Sequence, residues 1–325
     1  MDLFICFTPL QTLIASRIIS ESNNEGGFLY YHAYYPSDKN KFYFLKLASN
    51  DKIVQSQFLS DEFNIAYLLK LKSIFKNKKF NRIFLASLDN QIAHYILSFC
   101  YFDELITFDD GSANINKKSL YYLNSNPKLL KKITHKLLGR KFYLDDVIKA
   151  SKLHYTIFNG FENITSNVSY LNIYDAIQNS TPLQNRSCTV ILGTVYREVF
   201  NSEVDSKVVQ QKIISIMNDN VPCYYIPHPR ENDDIPVKRY PDELLVFEDI
   251  MIDLVKKFDS INVFGFASSS QISILNLKNI NCTVFYSDDL LESVKNLTGL
   301  LSGKGAKVLN LDKYKTGCVD NVFDK

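Results

Sequence analysis

The sequence lacks tryptophan, has no long apolar run and carries almost no net charge. Its 325 residues include 37 Lys and Arg against 35 Asp and Glu, which gives a formal charge of +2. A chain this balanced lacks the broad basic surface on which nucleic-acid binding depends, so we expect no nucleic-acid partner. No stretch of roughly 18 uncharged apolar residues occurs, so the sequence predicts no transmembrane helix.

The six cysteines form no Cys-x-x-Cys pair. Five of them lie in or beside apolar runs, so we interpret them as buried thiols of a reducing compartment rather than as metal ligands. A catalytic thiolate is the less favoured alternative. The amino terminus shows no basic segment followed by an apolar one, so we expect no signal peptide. These features predict a cytoplasmic protein, with peripheral attachment to the inner face of the plasma membrane as an alternative.

Short apolar runs alternate with segments of helical periodicity along most of the chain. This alternation is typical of parallel sheets built from βαβ units, so we predict an α/β fold. The predicted strands are Leu3–Phe7, Phe28–Tyr34, Arg82–Ala86, Glu104–Phe108 and His154–Phe158, followed by Thr189–Leu192, Tyr224–Ile226, Leu244–Phe247, Asn262–Phe266 and Thr283–Tyr286.

The first predicted strand is followed by a helix start. Thr8 can cap the helix and Pro9 suits its first position. Gln11 completes a capping box with Thr8, so we expect its side chain to return to the backbone of the cap.

A polar stretch at residues 178–186 separates two alternating halves and is typical of a linker. We therefore predict an N-terminal Rossmann-like domain over residues 1–186, with a basic helical insertion near 112–150. A second Rossmann-like domain is predicted over residues 187–325. We expect the two domains to face an interdomain cleft lined by the carboxyl edges of their sheets, where α/β proteins bind ligands.

Two adjacent carboxylates, Asp109 and Asp110, follow a predicted strand and precede Gly111. Neighbouring like charges can raise one pKa, so this pair could supply a general base. An ordinary Asp-Gly turn explains the same residues equally well. Vicinal carboxylates can also hold Mg²⁺, but no further acidic cluster accompanies them, and we favour metal independence.

Three further segments follow predicted strands in the second half. Ser268, Ser269 and Ser270 start a predicted helix, and hydroxyls with free backbone N–H groups there can bind a phosphate. His228, in the motif His-Pro-Arg, could act as a general acid, and Arg230 could hold an anion. The plain alternatives are a helix cap and a strand-terminal turn.

Glu248 and Asp249 follow the predicted strand Leu244–Phe247. A carboxylate there could accept hydrogen bonds from both ribose hydroxyls of a nucleotide. The alternative is an acidic helix start stabilised by the helix dipole. Together with the serines and the histidine, this segment indicates a nucleotide whose phosphate lies beside an imidazole, as in a nucleotide-sugar donor.

An ordered set of motifs resembles glycosyltransferase family 52, the bacterial lipooligosaccharide sialyltransferases and their capsule relatives. The resemblance spans residues 80–275 and depends on the set rather than on any one motif. The motifs are Phe108–Gly111, His154–Phe158 with Gly160, Ile191–Gly193, Pro227–Arg230, Glu248–Asp249 and the serine run.

The resemblance implies a GT-B fold, CMP-sialic acid as the donor, a galactose-terminated acceptor and inversion without a metal or other cofactor. On this model the first domain takes the acceptor and the second binds the CMP-sugar. His228 would protonate or hydrogen-bond the departing phosphate, Ser268 and Ser269 would hold it, and Glu248 would bind the ribose. The remaining predicted substrate contacts are Arg230, Gly193, Thr194 and Ser270.

The general base is less well defined by the resemblance. In family 52 the proposed base is an Asp in the loop after the first strand of the second domain. Here that loop, residues 193–198, contains no Asp. We therefore place Asp110 or Asp109 first as the base and Glu198 second.

Residues 117–141 combine eight Lys and Arg with several leucines. A basic amphipathic helix of this kind can lie on an anionic membrane, which would suit a lipid-linked acceptor. We slightly favour the alternative of a solvated helix face packed on its domain. The resemblance is also compatible with a homodimer. Two other functions stay open: a GT-B enzyme for another nucleotide sugar, and a non-catalytic relative that binds one.

Overall fold

A computed structural model describes residues 1–22, 26–123, 129–174, 186–201, 204–231 and 235–314. The chain forms two compact units, Met1–Ile173 and Tyr174–Lys325. The sequence placed the domain boundary between residues 186 and 187. Of the predicted linker, residues 178–186, only Arg186 belongs to the described residues.

The first unit alternates strands and helices from its first residues. Its strands are β1 Asp2–Cys6, β2 Gly27–His32, β3 Ile53–Leu59, β4 Lys79–Leu85, β5 Tyr101–Phe108, β6 Ser151–Thr156 and β7 Val168–Tyr170. Its helices are α1 Pro9–Glu21, α2 Asp38–Ala48, α3 Ile65–Phe75, α4 Gln91–Phe99, α5 Leu129–Leu137 and α6 Leu144–Ala150, with a 3₁₀ turn at Ser112–Asn114.

The second unit repeats the alternation. Its strands are β8 Ser187–Leu192, β9 Cys223–Ile226, β10 Ser260–Phe266, β11 Ile280–Tyr286 and β12 Lys307–Asn310. Its helices are α7 Tyr196–Val199, α8 Ser206–Asp219, α9 Phe247–Val255, α10 Ser269–Ile274 and α11 Glu292–Gly303.

Each unit is built on one parallel sheet. The strand order is β3-β2-β1-β4-β5-β6-β7 in the first unit and β12-β11-β10-β8-β9 in the second, and all these neighbours pair in parallel. Strand β1 is buried along its whole length, as expected for a strand covered by helices on both faces. The predicted α/β class with two Rossmann-like domains is therefore confirmed.

Aromatic side chains fill the core in the absence of tryptophan. In the first unit, Phe28 stacks on Phe75 at 5.8 Å between ring centroids, and both are fully buried. In the second unit, Phe266 packs edge-on against Phe285 at 5.4 Å. Such pairs stabilise a core beyond the apolar area that they bury.

The buried thiols predicted from the sequence are confirmed where they can be seen. Five cysteines are free and buried, and Cys318 lies outside the described residues. None of the helices in the described part combines the length and the apolar character that crossing a bilayer requires.

One predicted strand is wrong. Residues Leu244–Phe247 form turns rather than a strand, and helix α9 begins at Phe247. Four consecutive apolar residues suit a buried strand and a buried helix start equally well, and periodicity cannot separate them over so short a run. Strand β3 was not predicted, because its mostly exposed middle interrupts the apolar run.

The capping box at the first helix is only half formed. Thr8 caps α1, and its hydroxyl accepts from the backbone of Gln11 at 3.4 Å. The side chain of Gln11 does not return to Thr8. Its Oε1 accepts from the N–H of Phe7 at 2.6 Å, which leaves its Nε2 directed towards the loops after β4 and β5.

Candidate functional site

Three loops of the second unit come together at the carboxyl edge of its sheet. Strand β8 lies between β10 and β9, so the segments that follow these strands are neighbours. They hold the serine run after β10, Gly193 after β8 and His228 after β9. The chain leaves β8 towards β9 and leaves β10 towards β11, so the strand order reverses between β8 and β10. Open α/β sheets bind ligands at such a reversal.

His228 begins a tight turn that one carboxylate holds. The backbone N–H of His228 donates to Glu231 Oε2 at 3.0 Å, and the hydroxyl of Tyr225 donates to Glu231 Oε1 at 2.5 Å. Glu231 therefore ties the turn back to strand β9. It is not among the residues predicted from the sequence, although it directly follows the His-Pro-Arg motif.

The ring of His228 is half-buried and oriented by its own turn. The backbone N–H of Arg230 donates to Nδ1 at 3.1 Å, which assigns the proton of the neutral ring to Nε2. Burial lowers the pKa of His228, the charge of Arg230 lowers it further, and Glu198 opposes both. At neutral pH the ring is therefore neutral, and its Nε2 carries the hydrogen that it can donate.

Gly193 allows the loop after β8 to approach the His228 turn. Its N–H donates to the carbonyl of Ile226 at 2.8 Å. A Cβ at this position would lie 2.1 Å from Glu231 Oε2 and 3.0 Å from the backbone nitrogen of His228. Only glycine fits without displacing the carboxylate that holds the turn. Its predicted contact with substrate stays a prediction.

Glu198 and Arg230, two predicted site residues, form an ion pair. Their two contacts are parallel, at 2.7 and 2.8 Å, so the pair is bidentate. Both side chains are about half exposed, which limits the contribution of the pair to stability. Its planar geometry nevertheless links α7 to the His228 turn. With both oxygens engaged by Arg230, Glu198 is a poor candidate for the base.

The serine run starts helix α10 as predicted. The hydroxyl of Ser268 accepts from the backbone of Gln271 at 3.4 Å and caps the helix. The first-turn N–H groups of a helix have no acceptor within the helix and can bind an anion. Because α10 has only six residues, we attribute any anion binding to these N–H groups and the three half-buried serines rather than to a long helix dipole.

Glu248 lies in the first turn of α9 and not at the end of a strand. Helix α9 connects two parallel strands and runs opposite to them, so its first turn still lies at the carboxyl edge. The side chain is only 4% exposed. Burial raises the pKa of Glu248 to about 7, its own backbone N–H opposes this shift, and the charge of Asp249 adds to it. Such a buried carboxyl group is a candidate for a functional site.

A cavity of about 420 Å³ opens beside the His228 turn. Its size is within the range of ligand pockets. The predicted contacts Thr194 and Arg230 line it, together with Arg197 and Glu231. Across the described ranges, no three His, Cys, Asp or Glu side chains are grouped closely enough to hold a metal ion.

The two vicinal carboxylates of the first unit have different environments. Asp109 is fully buried and accepts from the hydroxyl of Thr156 at 2.8 Å, the backbone of Ile157 at 2.7 Å and the ring of His154 at 2.9 Å. The amide of Asn114 donates to it as well. Four donors surround this carboxylate, so it joins β5 to β6 and is unsuited to take a proton from a substrate.

Asp110 points instead to the place where the first sheet reverses its strand order. The hydroxyl of Ser87, after β4, donates to Asp110 Oδ2 at 2.5 Å, and the amide of Gln11, in the first turn of α1, donates to Oδ1. The same amide contacts Ser87 Oγ at 3.1 Å. Burial raises the pKa of Asp110 to about 6, against the opposing effect of these two hydrogen bonds.

Gln11 and Ser87 therefore contact a candidate site residue, and the sequence predicted neither of them. Both are buried. The pattern assigned Gln11 to a helix cap, and the segment after β4 was not considered. Ser87 lies just after a buried strand, and that position was the signal that could have identified it.

We expect Asp109 and Asp110 to differ in their effect on stability. Asp109→Asn would turn an amide N–H₂ towards groups that are all donors and cost about 3 kcal/mol, so the thermal midpoint should fall by about 5 °C or more.

Asp110→Asn should instead stabilise the protein at pH 8. It removes a carboxyl group whose pKa is higher in the folded state than in the unfolded state, so that its charged form is unfavourable in the folded protein. That gain should vanish below about pH 4, where Asp110 is protonated in both states. Equal losses in both variants would contradict this division.

We expect Gly193→Ala to loosen the His228 turn. The added methyl group must displace the Glu231 carboxylate, so the thermal midpoint should fall and the pKa of His228, followed by NMR, should change. Gly299→Ala is the matched control, because a Cβ there meets no atom within 4 Å and alanine favours the helix. A Gly193→Ala variant as stable as the control, with an unchanged His228 titration, would show that the close approach is unimportant.

We expect Glu248→Gln to stabilise the protein at alkaline pH. The raised folded pKa makes Glu248 stabilising below about pH 4, and this contribution is lost as the pH rises to about 7. The variant should therefore melt several degrees above the parent at pH 8, for a gain of up to about 3 kcal/mol, and with little difference at pH 4. Glu292→Gln, an exposed glutamate in the first turn of α11, should show no such pH dependence.

The chain is similar in sequence to known proteins. The model of the family described as Glycosyltransferase family 52 matches residues 31–288. A CMP-N-acetylneuraminate:beta-galactoside alpha-2,3-sialyltransferase of Pasteurella multocida (strain Pm70) is 32% identical over 281 residues, 85% of this chain and 88% of the relative. An N-acetyllactosaminide alpha-2,3-sialyltransferase of Haemophilus influenzae (strain ATCC 51907 / DSM 11121 / KW20 / Rd) is 29% identical over 86% of this chain and 90% of the relative.

Two solved structures are also similar to the chain, at low sequence identity. MnaA of S. aureus, in its UDP co-structure, is similar with a TM-score of 0.46 and 8% identity, covering 93% of this chain and 87% of that one. MurG of Acinetobacter baumannii is similar with a TM-score of 0.41 and 7% identity, covering 97% and 87%. The family model covers well over half of the sequence, from β2 to the end of β11. The chain belongs to glycosyltransferase family 52.

Proposed function

We propose that this glycosyltransferase is a sialyltransferase. It moves sialic acid from CMP-sialic acid to the terminal galactose of a bacterial lipooligosaccharide or capsular glycan, with inversion and without a metal ion. We propose an α-2,3 linkage, because the sialyltransferases of Pasteurella multocida and Haemophilus influenzae to which the chain is similar carry that linkage in their names.

One observation carries the proposal. The serine run, the Gly193 loop and the His228 turn follow three adjacent strands of one parallel sheet, around the point where its strand order reverses. Hydroxyls, helix N–H groups and an imidazole on one edge are suited to hold a nucleotide phosphate and to assist its departure. We place the CMP-sugar at this edge, with Ser268, Ser269 and Ser270 on the phosphate and Glu248 on the ribose.

His228 stabilises the leaving group on this model. Its neutral ring carries hydrogen on Nε2 and donates a hydrogen bond to a phosphate oxygen of the departing CMP. Arg230 is held by Glu198, so we assign it to the position of the turn and to the positive potential around the leaving group. Gly193 and Thr194 would contact the donor through the loop after β8.

Asp110 serves as the base. Its pKa, raised to about 6, lets it stay charged at neutral pH while still accepting a proton readily. It takes the proton of the acceptor hydroxyl, whose oxygen forms a bond to C2 of sialic acid. The bond from C2 to the phosphate oxygen breaks with its electron pair going to that oxygen, and CMP leaves as an anion that accepts a hydrogen bond from His228. Asp109, enclosed by its donors, has no part in the transfer.

The lipid-linked nature of such acceptors fits a membrane-facing role for α5. Leu137 is 83% exposed, and Ile133 is half exposed near Lys132 and Lys136. We propose that this apolar and basic face touches an anionic bilayer. A homodimer stays a prediction, and residues 124–128 of the basic segment lie outside the described residues.

The test measures CMP release from CMP-sialic acid with lactose as the acceptor. We expect turnover that persists in excess EDTA, and His228→Ala should lose roughly a hundredfold or more. His154→Ala is not a suitable control, because the His154 ring supports Asp109. Tyr35→Ala is a suitable control, because Tyr35 is exposed. The sialylated product should be cleaved by an α-2,3-specific sialidase.

Two results would overturn the proposal. Thermal stabilisation by a UDP- or GDP-sugar but not by CMP or CMP-sialic acid would indicate another donor. Stabilisation by CMP with no turnover on any galactoside, and no difference between the parent and His228→Ala, would indicate a non-catalytic relative.

A further inference from the structure

An ordered aromatic ring lies exposed at the carboxyl edge of the first sheet. Tyr34 follows strand β2, and 49% of its surface is accessible. Single exposed aromatic side chains are common on protein surfaces, but the ring of Tyr34 is also fixed in place by its neighbours.

The ring of Tyr34 is held from two sides by buried rings. It stacks on Phe7 with 6.0 Å between centroids and 23° between planes, and it meets the edge of His32 at 4.7 Å. His32 is in turn fixed by the hydroxyl of Tyr67, at 2.6 Å from its Nδ1. The part of Tyr34 that these contacts leave open is therefore a rigid flat surface.

The hydroxyl of Tyr34 is anchored through the cap of a helix. Asn90 Nδ2 donates to it at 2.9 Å, while Asn90 Oδ1 accepts from the backbone of Ile92 at 2.9 Å and caps α4. The amide is thus held at both ends.

Asp110 lies near this ring. Tyr34 stacks on Phe7, the N–H of Phe7 donates to Gln11 Oε1, and Gln11 Nε2 donates to Asp110. Gln11 and Ser87 hold Asp110 at the reversal of strand order between β1 and β4, and Tyr34 follows β2, the strand on the other side of β1. One edge of the first unit therefore carries both an exposed aromatic ring and an oriented carboxylate.

A hexose is the ligand that matches this pair. Galactose has an apolar face formed by the C–H groups at C3, C4 and C5, and hydroxyls along its rim. The apolar face can stack on an aromatic ring while a rim hydroxyl donates to a carboxylate. A nucleotide base could also stack, but the neighbouring carboxylates would repel its phosphates.

We propose that Tyr34 is the platform on which the terminal galactose of the acceptor stacks, with the attacking hydroxyl directed to Asp110. The inference rests on the proposed function and deepens it. It makes Tyr34 a residue for acceptor binding through its ring.

The experiment compares four proteins: the parent, Tyr34→Ala, Tyr34→Phe and Tyr35→Ala. Tyr35 is the adjacent tyrosine and is 80% exposed, so it controls for the loss of a surface ring. The apparent KM for lactose and for CMP-sialic acid would be measured separately, along with the slow hydrolysis of the donor in the absence of acceptor.

Loss of the ring should raise the KM for lactose about tenfold in Tyr34→Ala, with the KM for the donor and the donor hydrolysis unchanged. Tyr34→Phe keeps the ring and should stay within about threefold of the parent, as should Tyr35→Ala. If Tyr34→Ala does not fold, Tyr34→Leu keeps the apolar packing on Phe7 without an aromatic face and should show the same tenfold loss.

An unchanged KM for lactose in Tyr34→Ala, or an equal rise for lactose and for the donor, would overturn the platform while leaving the proposed function intact. If the parent shows no turnover, the proposed function fails. Saturation-transfer NMR with lactose then tests by itself whether galactose stacks on Tyr34. Contact with the galactose C–H groups that disappears in Tyr34→Ala supports it, and the absence of contact in the parent overturns it.

Discussion

Parallel pairing of strands is the constraint on which both candidate sites depend. In a parallel sheet every strand ends at the same edge, so segments far apart in sequence are neighbours whenever their strands are. Strand β8 lies between β9 and β10, and this order brings the His228 turn and the serine run to either side of Gly193. The approach of Gly193 to the turn is then so close that a Cβ would strike Glu231 at 2.1 Å.

The charged groups of this protein show how burial separates structural from functional carboxylates. Asp109 is buried and fully satisfied by four donors, so it stabilises the fold. Asp110 is half-buried and Glu248 is buried, neither with full compensation, and desolvation raises the pKa of each towards neutral pH. Incompletely compensated carboxyl groups such as Asp110 and Glu248 lower the stability of the protein, and a ligand that pairs with them can restore it. This is a common property of functional sites.

The fold was largely predictable because its strands are short, continuous apolar runs. The prediction failed where a short apolar run was ambiguous. Leu244–Phe247 has the composition of a strand, yet Phe247 begins helix α9, because the residues that follow have helical periodicity. Glu248 nevertheless stayed at the carboxyl edge, since a helix between two parallel strands begins there. The site was predictable in part for the same reason, because His228 and the serine run each follow a strand.

The sequence by itself determined the α/β class, the buried thiols and the positions of the polar segments that end the strands, because apolar periodicity and strand ends are local properties. Only the tertiary structure decided which of two adjacent carboxylates is enclosed and which faces the reversal point. It also decided that Gln11 supports Asp110 instead of closing a capping box, and that Tyr34 stacks on Phe7 at the same edge of the sheet. These outcomes depend on contacts between residues about 25 to 100 positions apart, which no local pattern encodes.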